Sequence, residues 1–380
     1  MLITTCIALS LLLIATYCVY VRNMRKYWRS AQHAMAPAED EGNVHITVLV
    51  PFRNEGQHLP ALIEDLSRQD YNQTRWEVIF IDDDSQDNGA EIVRQAGTRN
   101  KNVRLLSSTS PGGKKAALKT GIENSTSELL ITIDADVKLQ PRWLSTIAIF
   151  YNRHKPAMII LPVLFSEGNN LFERLQSLEF LSLAAITGAS AGKGHATMCN
   201  GANLGIARAS FFSTDGYASH EHISSGDDMF MMTSLKRKNR RDVKYLLSKN
   251  VIAETSQCKT IPEFIAQRVR WTSKASAYRD ADVIISASLV LVVNVGVLFL
   301  VVIAFFSEAW RMTIALALMV KFITDYSLLS EAGEAMGKRI RITEALLLEL
   351  IYPFYALVIP LIAIFYRPIW KGRRISLRNQ

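Results

Sequence analysis

The stretch Glu128-Leu-Leu-Ile-Thr-Ile-Asp-Ala-Asp136 decides the fold of this chain. Its apolar run has the length of one buried strand, and two carboxylates, Asp134 and Asp136, follow it directly. Side chains two residues apart on an extended chain point to the same side, so both carboxylates reach one edge of a sheet. Carboxylate oxygens favour Mg²⁺ or Mn²⁺, ions that keep open positions for substrate phosphates. A turn or a helix cap is the alternative role for this pair.

Similar apolar runs precede this strand and alternate with segments of helical periodicity. The runs cover residues 46–50, 77–81 and 103–106, and the helical segments include 59–66 and 114–123. Strands that alternate with helices predict a doubly wound, mostly parallel α/β sheet. In such a sheet ligands bind beyond the carboxyl ends of the strands. The polar clusters at 51–55, 82–87 and 134–136 all occupy that edge.

Apolar segments long enough to cross a bilayer lie at both ends of the chain. Residues 2–21 reach the length of about 20 residues that a crossing needs, and no cleavage site follows them. Basic residues come next, at Arg22, Arg25, Lys26 and Arg29. We therefore expect an uncleaved anchor whose C-terminal end lies in the cytoplasm.

Three apolar segments follow toward the C-terminus. Residues 284–306 and 345–366 are candidate spans, and 312–329 is apolar but carries Lys321 and Asp325. These two are spaced i, i+4 and can pair on one helix face, which lowers their cost in lipid. If all three segments cross, the basic tail at 367–380 lies outside, against the usual charge bias; if one is re-entrant or interfacial, the tail returns to the cytoplasm. The charge bias favours the second arrangement, and the first stays open.

The composition excludes several classes of protein. The net charge of +8 could indicate a nucleic-acid partner, but the cations crowd beside the apolar end segments, as is typical of charge at a membrane surface. We therefore expect no nucleic-acid partner. The four cysteines have neither the spacing of a disulfide framework nor that of a metal site. Reduced thiols and a cytoplasmic catalytic region are the expectation.

Six short motifs occur in an order that resembles a known family. They are Pro51-Phe-Arg-Asn-Glu55, Asp82-Asp-Asp-Ser85, Gly113-Lys114 with Gly121, Asp134-Ala-Asp136, Gly226-Asp-Asp228 and Gln267-Arg-Val-Arg-Trp271. From about residue 44 to residue 271 the chain resembles the family 2 glycosyltransferases, membrane-bound inverting enzymes that use nucleotide-diphosphate sugars. Lipid glycosyltransferases and the hyaluronan, cellulose and poly-N-acetylglucosamine synthases share such motifs. The resemblance implies a GT-A type nucleotide-diphospho-sugar transferase domain flanked by transmembrane helices.

The first two motifs are implied to hold the nucleoside. Pro51 and Glu55 belong to the first strand end and Asp83 to the second; a carboxylate can accept a hydrogen bond from a ribose hydroxyl or the uracil imide N–H. A turn or N-cap role is the alternative for Asp83. Asp84 stands where a glycine is more usual in the motif, which makes the tightness of that turn an open point.

The lysine and metal motifs are implied to hold the diphosphate and the sugar. Lys114 would place a positive charge near the nucleotide or the donor sugar, and a solvated lysine at a helix start is its alternative. Asp136 is implied to coordinate the metal, with Asp134 reaching the ribose or the donor sugar. The cation would neutralise charge on the departing diphosphate.

The fifth motif is implied to supply the general base. Asp228 would take the proton from the acceptor hydroxyl in one inverting displacement, and Asp227, where Glu is more usual, would orient it. A helix N-cap is the alternative for this pair. The nearby His220-Glu-His222 has metal-ligand spacing, but no third ligand is evident, so we expect a polar loop.

Of the remaining residues, Arg270 is implied to bind the nucleotide-sugar donor, and the others are implied to face the acceptor. Arg270 can clasp phosphate oxygens, and Trp271 can offer a flat face to a sugar. Gln267 of the same motif, and Asn200 and Asn203 of Cys199-Asn-Gly-Ala-Asn203, are implied to lie in the acceptor region. The alternative for the last motif is an amphipathic helix on the membrane surface. This alternative is compatible with a role in substrate binding.

These observations predict a metal-dependent inverting glycosyltransferase integral to the plasma or inner membrane. Its expected regions are an anchor at 1–21, a basic linker at 22–43, a cytoplasmic glycosyltransferase domain at 44–280, membrane segments at 281–366 and a basic tail at 367–380. The expected partners are a nucleotide-diphosphate sugar, by resemblance UDP-linked, Mg²⁺ or Mn²⁺, the bilayer, and a lipid acceptor hydroxyl. The alternatives are a processive polysaccharide synthase acting on a growing glycan, and a non-catalytic nucleotide-binding scaffold. The small number of C-terminal membrane segments favours the lipid acceptor.

Overall fold

The computed structural model describes residues 2–32, 43–108, 113–214, 227–274, 278–365, 369–370 and 373–374. The chain divides into two compact units. The helical unit comprises Met1–Ser30, Glu167–Ser190 and Gln257–Arg374, and the α/β unit comprises Ala31–Ser166, Ala191–Ser256 and Ile375–Gln380. Each unit is described by itself below.

The α/β unit is built on a sheet of seven strands among the described residues. Its strands are β1 (Ile46–Phe52), β2 (Trp76–Asp82), β3 (Val103–Ser107), β4 (Leu129–Ile133), β5 (Met158–Ile160), β7 (Asn203–Ala207) and β8 (Val243–Tyr245), and β6 (Val163–Phe165) pairs separately with β9 (Ala253–Thr255). The order is β3-β2-β1-β4-β7-β5-β8. β7 runs antiparallel to both neighbours, and the other pairs are parallel. The prediction of a mostly parallel α/β sheet is confirmed.

Helices cover this sheet and bury its central strands. They are α2 (Leu59–Ser67), α3 (Gly89–Arg99), α4 (Lys114–Glu123), α5 (Trp143–His154), α7 (Arg208–Phe212) and α8 (Asp227–Lys238), with single turns at Arg240–Asp242 and Lys249–Val251. Every residue of β1 and β4 is buried, which explains their unbroken apolar runs. Gly121 lets α4 approach the sheet, because a Cβ there would lie 2.8 Å from Leu49 Cδ2 and 3.0 Å from Ile81 Cδ1.

The helical unit contains the apolar ends of the chain. Its helices are α1 (Leu2–Gln32), α6 (Leu171–Gly192), α9 (Ile261–Thr272), α10 (Ala281–Phe306), α11 (Glu308–Ala335) and α12 (Ile342–Phe365), followed by a hairpin of β10 (Ile369–Trp370) and β11 (Arg373–Arg374). Among the described residues, four helices are long and apolar enough to cross a membrane: α1, α10, α11 and α12. The three C-terminal segments are continuous helices, and how many of them cross stays a prediction.

A buried polar cluster joins three of these helices. Lys321 Nζ lies 2.9 Å from Asp325 Oδ2, so the predicted i, i+4 pair is confirmed. The same ammonium lies 2.6 Å from Glu349 Oε1 of α12. The hydroxyl of Tyr17 on α1 donates to Asp325 Oδ1 at 2.9 Å. The positive charge of Lys321 is therefore paired with carboxylates of α11 and α12. Charged groups in an apolar surrounding require such partners.

The first helix runs antiparallel to α10 and parallel to α11. Tyr20 donates to Ser286 at 3.1 Å, and Ser10 lies against Gly296 ten residues further along α10. Beyond the polar cluster, Arg25 and Arg29 both pair with Glu331 of α11. Apolar residues between α1 and α10, among them Ile7, Ile14, Val293 and Leu300, form the core of this packing.

Candidate functional site

Three carboxylate-bearing strand ends lie side by side in the α/β unit. β1 is the neighbour of both β2 and β4, and all three run in the same direction. Phe52 at the end of β1 is in register with Asp82 at the end of β2. Asp134 follows β4 directly. The predicted convergence of the polar clusters at one edge is thus present, and this edge is where doubly wound sheets bind ligands.

The loops after β1 and β2 are tied to each other. Asn54 and Asp84 both adopt left-handed backbone conformations, with φ of 54° and 62°. Asp84 therefore keeps the turn at the position where the family more usually has glycine, and aspartate is one of the residues that tolerate this region. Ser85 Oγ accepts from the Asn54 N–H at 3.1 Å, and Asn54 Oδ1 accepts from the Gln86 N–H at 2.8 Å.

The candidate nucleoside residues border these loops. Asp83 is 3% exposed and accepts from the Gly113 N–H at 3.3 Å, while its carbonyl accepts from Arg53 Nη1 at 2.8 Å. Glu55 Oε2 lies 2.7 Å from His58 Nδ1. Pro51 is buried within β1 and shapes the strand end. Asp83 thus connects the β2 loop to the start of α4.

Lys114, the first residue of α4, points toward the end of β4. Its ammonium forms an ion pair with Asp134 Oδ1 and lies 3.4 Å from the carbonyl oxygen of Gly201. Thr132 Oγ1 donates to the same carbonyl at 3.2 Å. Gly113 enters the helix at φ 76°, a conformation that favours glycine. The lysine and metal motifs are therefore in direct contact.

Asp136 lies among other carboxylates. Thr255 Oγ1 of β9 donates to Asp136 Oδ2 at 3.1 Å. Desolvation raises the pKa of the Asp136 carboxyl, and the charges of Asp134 and Glu55 raise it further, although the side chain keeps a solvent-exposed side. Accumulated negative charge of this kind is what a bound cation would relieve. Among the described residues, no group of three or more His, Cys, Asp or Glu side chains is arranged to hold a metal ion.

A donor set of one or two carboxylates still suits Mg²⁺ or Mn²⁺, since these ions take their remaining ligands from water and substrate phosphates. Asp136 is exposed to solvent, whereas Asp134 is engaged by Lys114. The residues present therefore fit a cation held in part by the donor diphosphate.

Asp228 lies in the first turn of α8. A position at the start of a helix is compatible with its candidate role as a base. Its Oδ2 accepts from the Gly201 N–H at 2.9 Å, and its Oδ1 accepts from the Met229 N–H at 2.8 Å. Burial, followed by the charge of Asp228, raises the pKa of the Cys199 thiol well above its ordinary value. Asp227 is the first residue of α8. Gly226 and the segment His220-Glu-His222 lie outside the described residues.

The two candidate acceptor asparagines differ in their surroundings. Asn200 is partly exposed, and its Oδ1 accepts from the Ala202 N–H at 3.0 Å. Asn203 is 0% exposed; its amide donates to the carbonyls of Pro162 at 2.9 Å and Val251 at 2.8 Å, and it accepts from Trp143 Nε1 at 3.2 Å. We correct the expectation for Asn203, because a side chain enclosed in this way has no surface to offer an acceptor.

The last motif lies on α9 of the helical unit. A capping box begins this helix: Thr260 Oγ1 accepts from the Glu263 N–H, and Glu263 Oε2 accepts from the Thr260 N–H. Arg270 is partly exposed. Gln267 Oε1 accepts from Arg268, and the ring of Trp271 lies against the Arg268 guanidinium. Both predicted acceptor residues of this motif, Gln267 and Trp271, are thus in contact with Arg268, which the sequence alone left without a role.

Two contributors to the site escaped the sequence reading. Gly201 acts through its backbone N–H and carbonyl, which no side-chain pattern can signal. Thr255 reaches Asp136 from a strand 119 residues further along the chain. Only the pairing of β9 brings it there, since Lys138 and Glu254 form a bridge between the two segments.

Comparisons with known proteins agree with this architecture. Residues 47–212 match the family model for Glycosyl transferase family 2. A mannosyltransferase from Pyrobaculum calidifontis, solved in complex with GDP-Man and Mn²⁺, is similar in structure with a TM-score of 0.56. The match has 16% identity and covers 93% of this chain and 99% of that one. The fold is therefore the GT-A type nucleotide-sugar transferase fold.

Curated relatives are similar over a shorter segment. A 4,4'-diaponeurosporenoate glycosyltransferase of Staphylococcus haemolyticus is 40% identical over 102 residues, which are 27% of this chain and 26% of that protein. A dolichyl-phosphate beta-glucosyltransferase of Trichomonas vaginalis is 31% identical over 103 residues, 26% of this chain and 32% of that protein. The chain thus spans about a quarter to a third of the length of the curated relatives it matches.

Proposed function

We propose that this chain, a family 2 glycosyltransferase domain combined with membrane helices, transfers a sugar from a nucleotide-diphosphate sugar to a membrane lipid with inversion at the anomeric carbon. The acceptor atom is an oxygen of the lipid. The proposal covers the donor, the metal, the base and the acceptor, each of which rests on its own observation.

The contact at Gly201 carries the proposal. Its carbonyl lies 3.4 Å from Lys114 Nζ, and its N–H donates to Asp228 at 2.9 Å. The backbone of one residue therefore joins the residues proposed for the donor to the residue proposed as base. A transfer reaction needs both partners of the reaction within a few ångströms of each other, which this arrangement supports.

The donor is proposed to lie along the three strand ends. Asp83 and Glu55 accept from the nucleoside, and Pro51 keeps the end of β1 in place for it. Lys114 and the start of α4 face the diphosphate, where a positive charge and a helix N-terminus both favour an anion. Asp134 is proposed to reach the ribose or the sugar. We propose UDP as the carrier.

Asp136 is proposed to hold Mg²⁺ or Mn²⁺. When bound, such an ion supplies Lewis-acid stabilisation of the negative charge on the leaving diphosphate. Thr255 fixes the orientation of the carboxylate through its hydroxyl, because that hydroxyl already donates to one of the two oxygens. The other oxygen is left for the ion.

Asp228 is proposed as the general base, with Asp227 beside it. As the acceptor oxygen forms its bond to the anomeric carbon, the bond from that carbon to the diphosphate oxygen breaks. The proton of an acceptor hydroxyl passes to Asp228, and the nucleoside diphosphate leaves with the bonding electrons. The Gly201 and Met229 N–H groups hold the carboxylate in one orientation while this happens.

A lipid acceptor is supported by the four apolar helices and by relatives. The Trichomonas protein is named for dolichyl phosphate, a lipid phosphate. Arg270 is proposed to bind phosphate oxygens, and Asn200 is proposed to line the acceptor side. We propose that the α/β unit lies in the cytoplasm, because the cations Arg22, Arg25, Lys26 and Arg29 follow the apolar part of α1, and that the protein is integral to the plasma or inner membrane.

The test uses the full chain in lipid nanodiscs with Mn²⁺ or Mg²⁺ and a panel of radiolabelled UDP- and GDP-linked sugars. Membrane lipid extract and undecaprenyl phosphate serve as acceptors, and Asp228→Asn is the matched control, which we expect to be inactive with a hydroxyl acceptor. Label in the organic phase supports the proposal and names the donor. Label in high-molecular-weight aqueous polymer would make the protein a polysaccharide synthase. Binding of nucleotide without label in either product would make it a non-catalytic scaffold.

A further inference from the structure

The guanidinium of Arg268 is buried in the helical unit and held by charged and polar groups. The residue is 2% exposed, and its Nη2 lies 2.5 Å from Glu179 Oε2 of α6. Its Nη1 donates to Gln267 on the same helix. Glu179 is itself buried and accepts on its second oxygen from the hydroxyl of Tyr355 on α12, at 3.2 Å. Three helices therefore meet at one buried ion pair.

Two aromatic rings enclose the same guanidinium. The centroid of the Phe264 ring is 4.6 Å from Arg268 Cζ, and that of the Trp271 ring is 4.3 Å from it. Both rings lie on the helix face of Arg268, since they are four residues before it and three after it. Trp271 also packs against Phe180 of α6, with ring centroids 5.8 Å apart. A planar cation between two rings and a carboxylate has little freedom to move.

The two arginines of the motif point in different directions. Residues two apart on a helix are separated by about 200° around its axis, so Arg268 and Arg270 cannot face the same ligand. Arg268 is buried, while Arg270 is partly exposed. The rotation of α9 that buries Arg268 therefore sets where Arg270 points.

From this geometry we propose that Arg268 is the positioning residue of the Gln-x-x-Arg-Trp motif. Gln267 and Trp271 hold Arg268, Glu179 anchors it to α6, and Tyr355 links the pair to α12. These residues, which we call the Arg268 assembly, fix the rotation of α9 about its axis. That rotation determines the direction in which Arg270 points. The functional half of this inference rests on the proposed sugar transfer, in which Arg270 binds phosphate.

The structure offers an isosteric substitution and two matched controls. Tyr355→Phe removes only the hydroxyl that donates to Glu179. Tyr326→Phe makes the same change on α11, where the ring stacks on Phe322. Glu344→Gln breaks the ion pair with Arg174, 2.7 Å long, which also joins α6 to α12 but does not involve α9. Arg268→Lys keeps the positive charge and loses the planar fork.

Hydrogen–deuterium exchange of residues 261–272 in nanodiscs tests the anchoring, whether or not a substrate is known. We expect exchange about tenfold faster in Tyr355→Phe and faster still in Arg268→Lys, with wild-type exchange in both controls. Exchange at the wild-type rate in Tyr355→Phe and Arg268→Lys would overturn the proposal. So would an equal rise in the two controls.

Kinetics with undecaprenyl phosphate separate positioning from a purely structural role. We expect kcat in Tyr355→Phe to fall about tenfold, with KM for the nucleotide sugar within twofold of wild type and little change in melting temperature. Faster exchange with unchanged kcat would mean that the assembly only stabilises the fold, and the proposal fails. If the wild-type protein transfers no sugar, that result contradicts the proposed function instead. The exchange result would then decide whether Arg268 and its partners anchor α9.

Discussion

The main-chain N–H of Gly201 donates to Oδ2 of Asp228, and the two atoms lie 2.9 Å apart. The carbonyl of the same glycine lies 3.4 Å from the ammonium of Lys114. Asp228 and Lys114 are far apart in sequence, and the segment before β7 is what brings them together. The residues proposed for the donor and for the base are in this way connected through backbone rather than through side chains.

Asp228→Asn tests the base directly. The amide oxygen can still accept the Gly201 N–H, while the contact with the Met229 N–H is lost, and the amide cannot take a proton. With a hydroxyl acceptor we expect kcat to fall by about 10²- to 10⁴-fold. A lipid phosphate is ionised at pH 8, since its second pKa is about 6, and needs no base. Retained activity with the phosphate but not with the hydroxyl would identify the acceptor class, and full activity with a hydroxyl acceptor would contradict the role of Asp228.

Lys114→Gln tests the donor side. Its ammonium is paired with Asp134, and removing it takes a charge-assisted contact from the proposed diphosphate site. We expect kcat/KM for the nucleotide sugar to fall about 10- to 100-fold. Lys119→Gln, an exposed lysine on the same helix, is the control and should leave kcat/KM unchanged. Equal effects of the two substitutions would point to long-range charge rather than to a contact.

The metal is tested through Thr255. Its hydroxyl donates to Asp136, and loss of such an outer contact commonly weakens metal binding by about 10- to 100-fold. We expect Thr255→Val to raise the Mn²⁺ concentration for half-maximal activity, with kcat nearly restored at saturation, and Thr255→Ser to resemble wild type. EDTA should abolish transfer in all three proteins. Transfer that persists in EDTA would remove the metal from the mechanism.

His154 should make the α/β unit less stable in acid. Burial lowers the pKa of its imidazole, and the charges of Lys244 and Arg153 lower it further. As pH falls through about 6.5, the unfolded chain binds a proton there that the folded chain does not, so the free energy of unfolding decreases. The melting temperature of the His154→Gln protein should therefore fall less than that of the wild type when the pH is lowered from 7.5 to 5.5. Identical losses in the two proteins would refute this assignment.

The buried cluster of the helical unit should be sensitive to its cation. Lys321→Met leaves Asp325 and Glu349 without the ammonium that pairs with both, which we expect to cost about 3–5 kcal/mol of stability. Arg311→Gln breaks a more exposed pair with Glu308 on the same helix and should cost at most about 1 kcal/mol. Thermal denaturation in detergent compares the two. A Lys321→Met protein as stable as Arg311→Gln would mean that the carboxylates are protonated or hydrated.

Much of the fold could be predicted because it is local. The four parallel strands before residue 134 were identified from apolar runs, and the i, i+4 pair of Lys321 and Asp325 from spacing alone. The antiparallel strand β7, Asn203–Ala207, was not foreseen, although it has the same length as β4. Its direction depends on pairing with β4 and β5, which spacing along the chain does not encode.

The site shows the same division between local pattern and tertiary contact. Carboxylates at strand ends stand out in sequence, and the left-handed turn at Asp84 survives without glycine because neighbouring loops hold it. A motif cannot tell which of its polar residues face inward. Asn203 is enclosed by three hydrogen bonds to the fold, and Arg268, two residues before the arginine that the motif emphasises, is the buried one.

The parallel course of α1 and α11 bears on how this protein is best handled in the laboratory. A shortened chain without α1 would lose Tyr17, which donates to Asp325, and both arginines that pair with Glu331. The apolar surface of α11 that packs with α1 would then be exposed, which favours aggregation during purification. The first helix is therefore better retained, or supplied as a separate peptide.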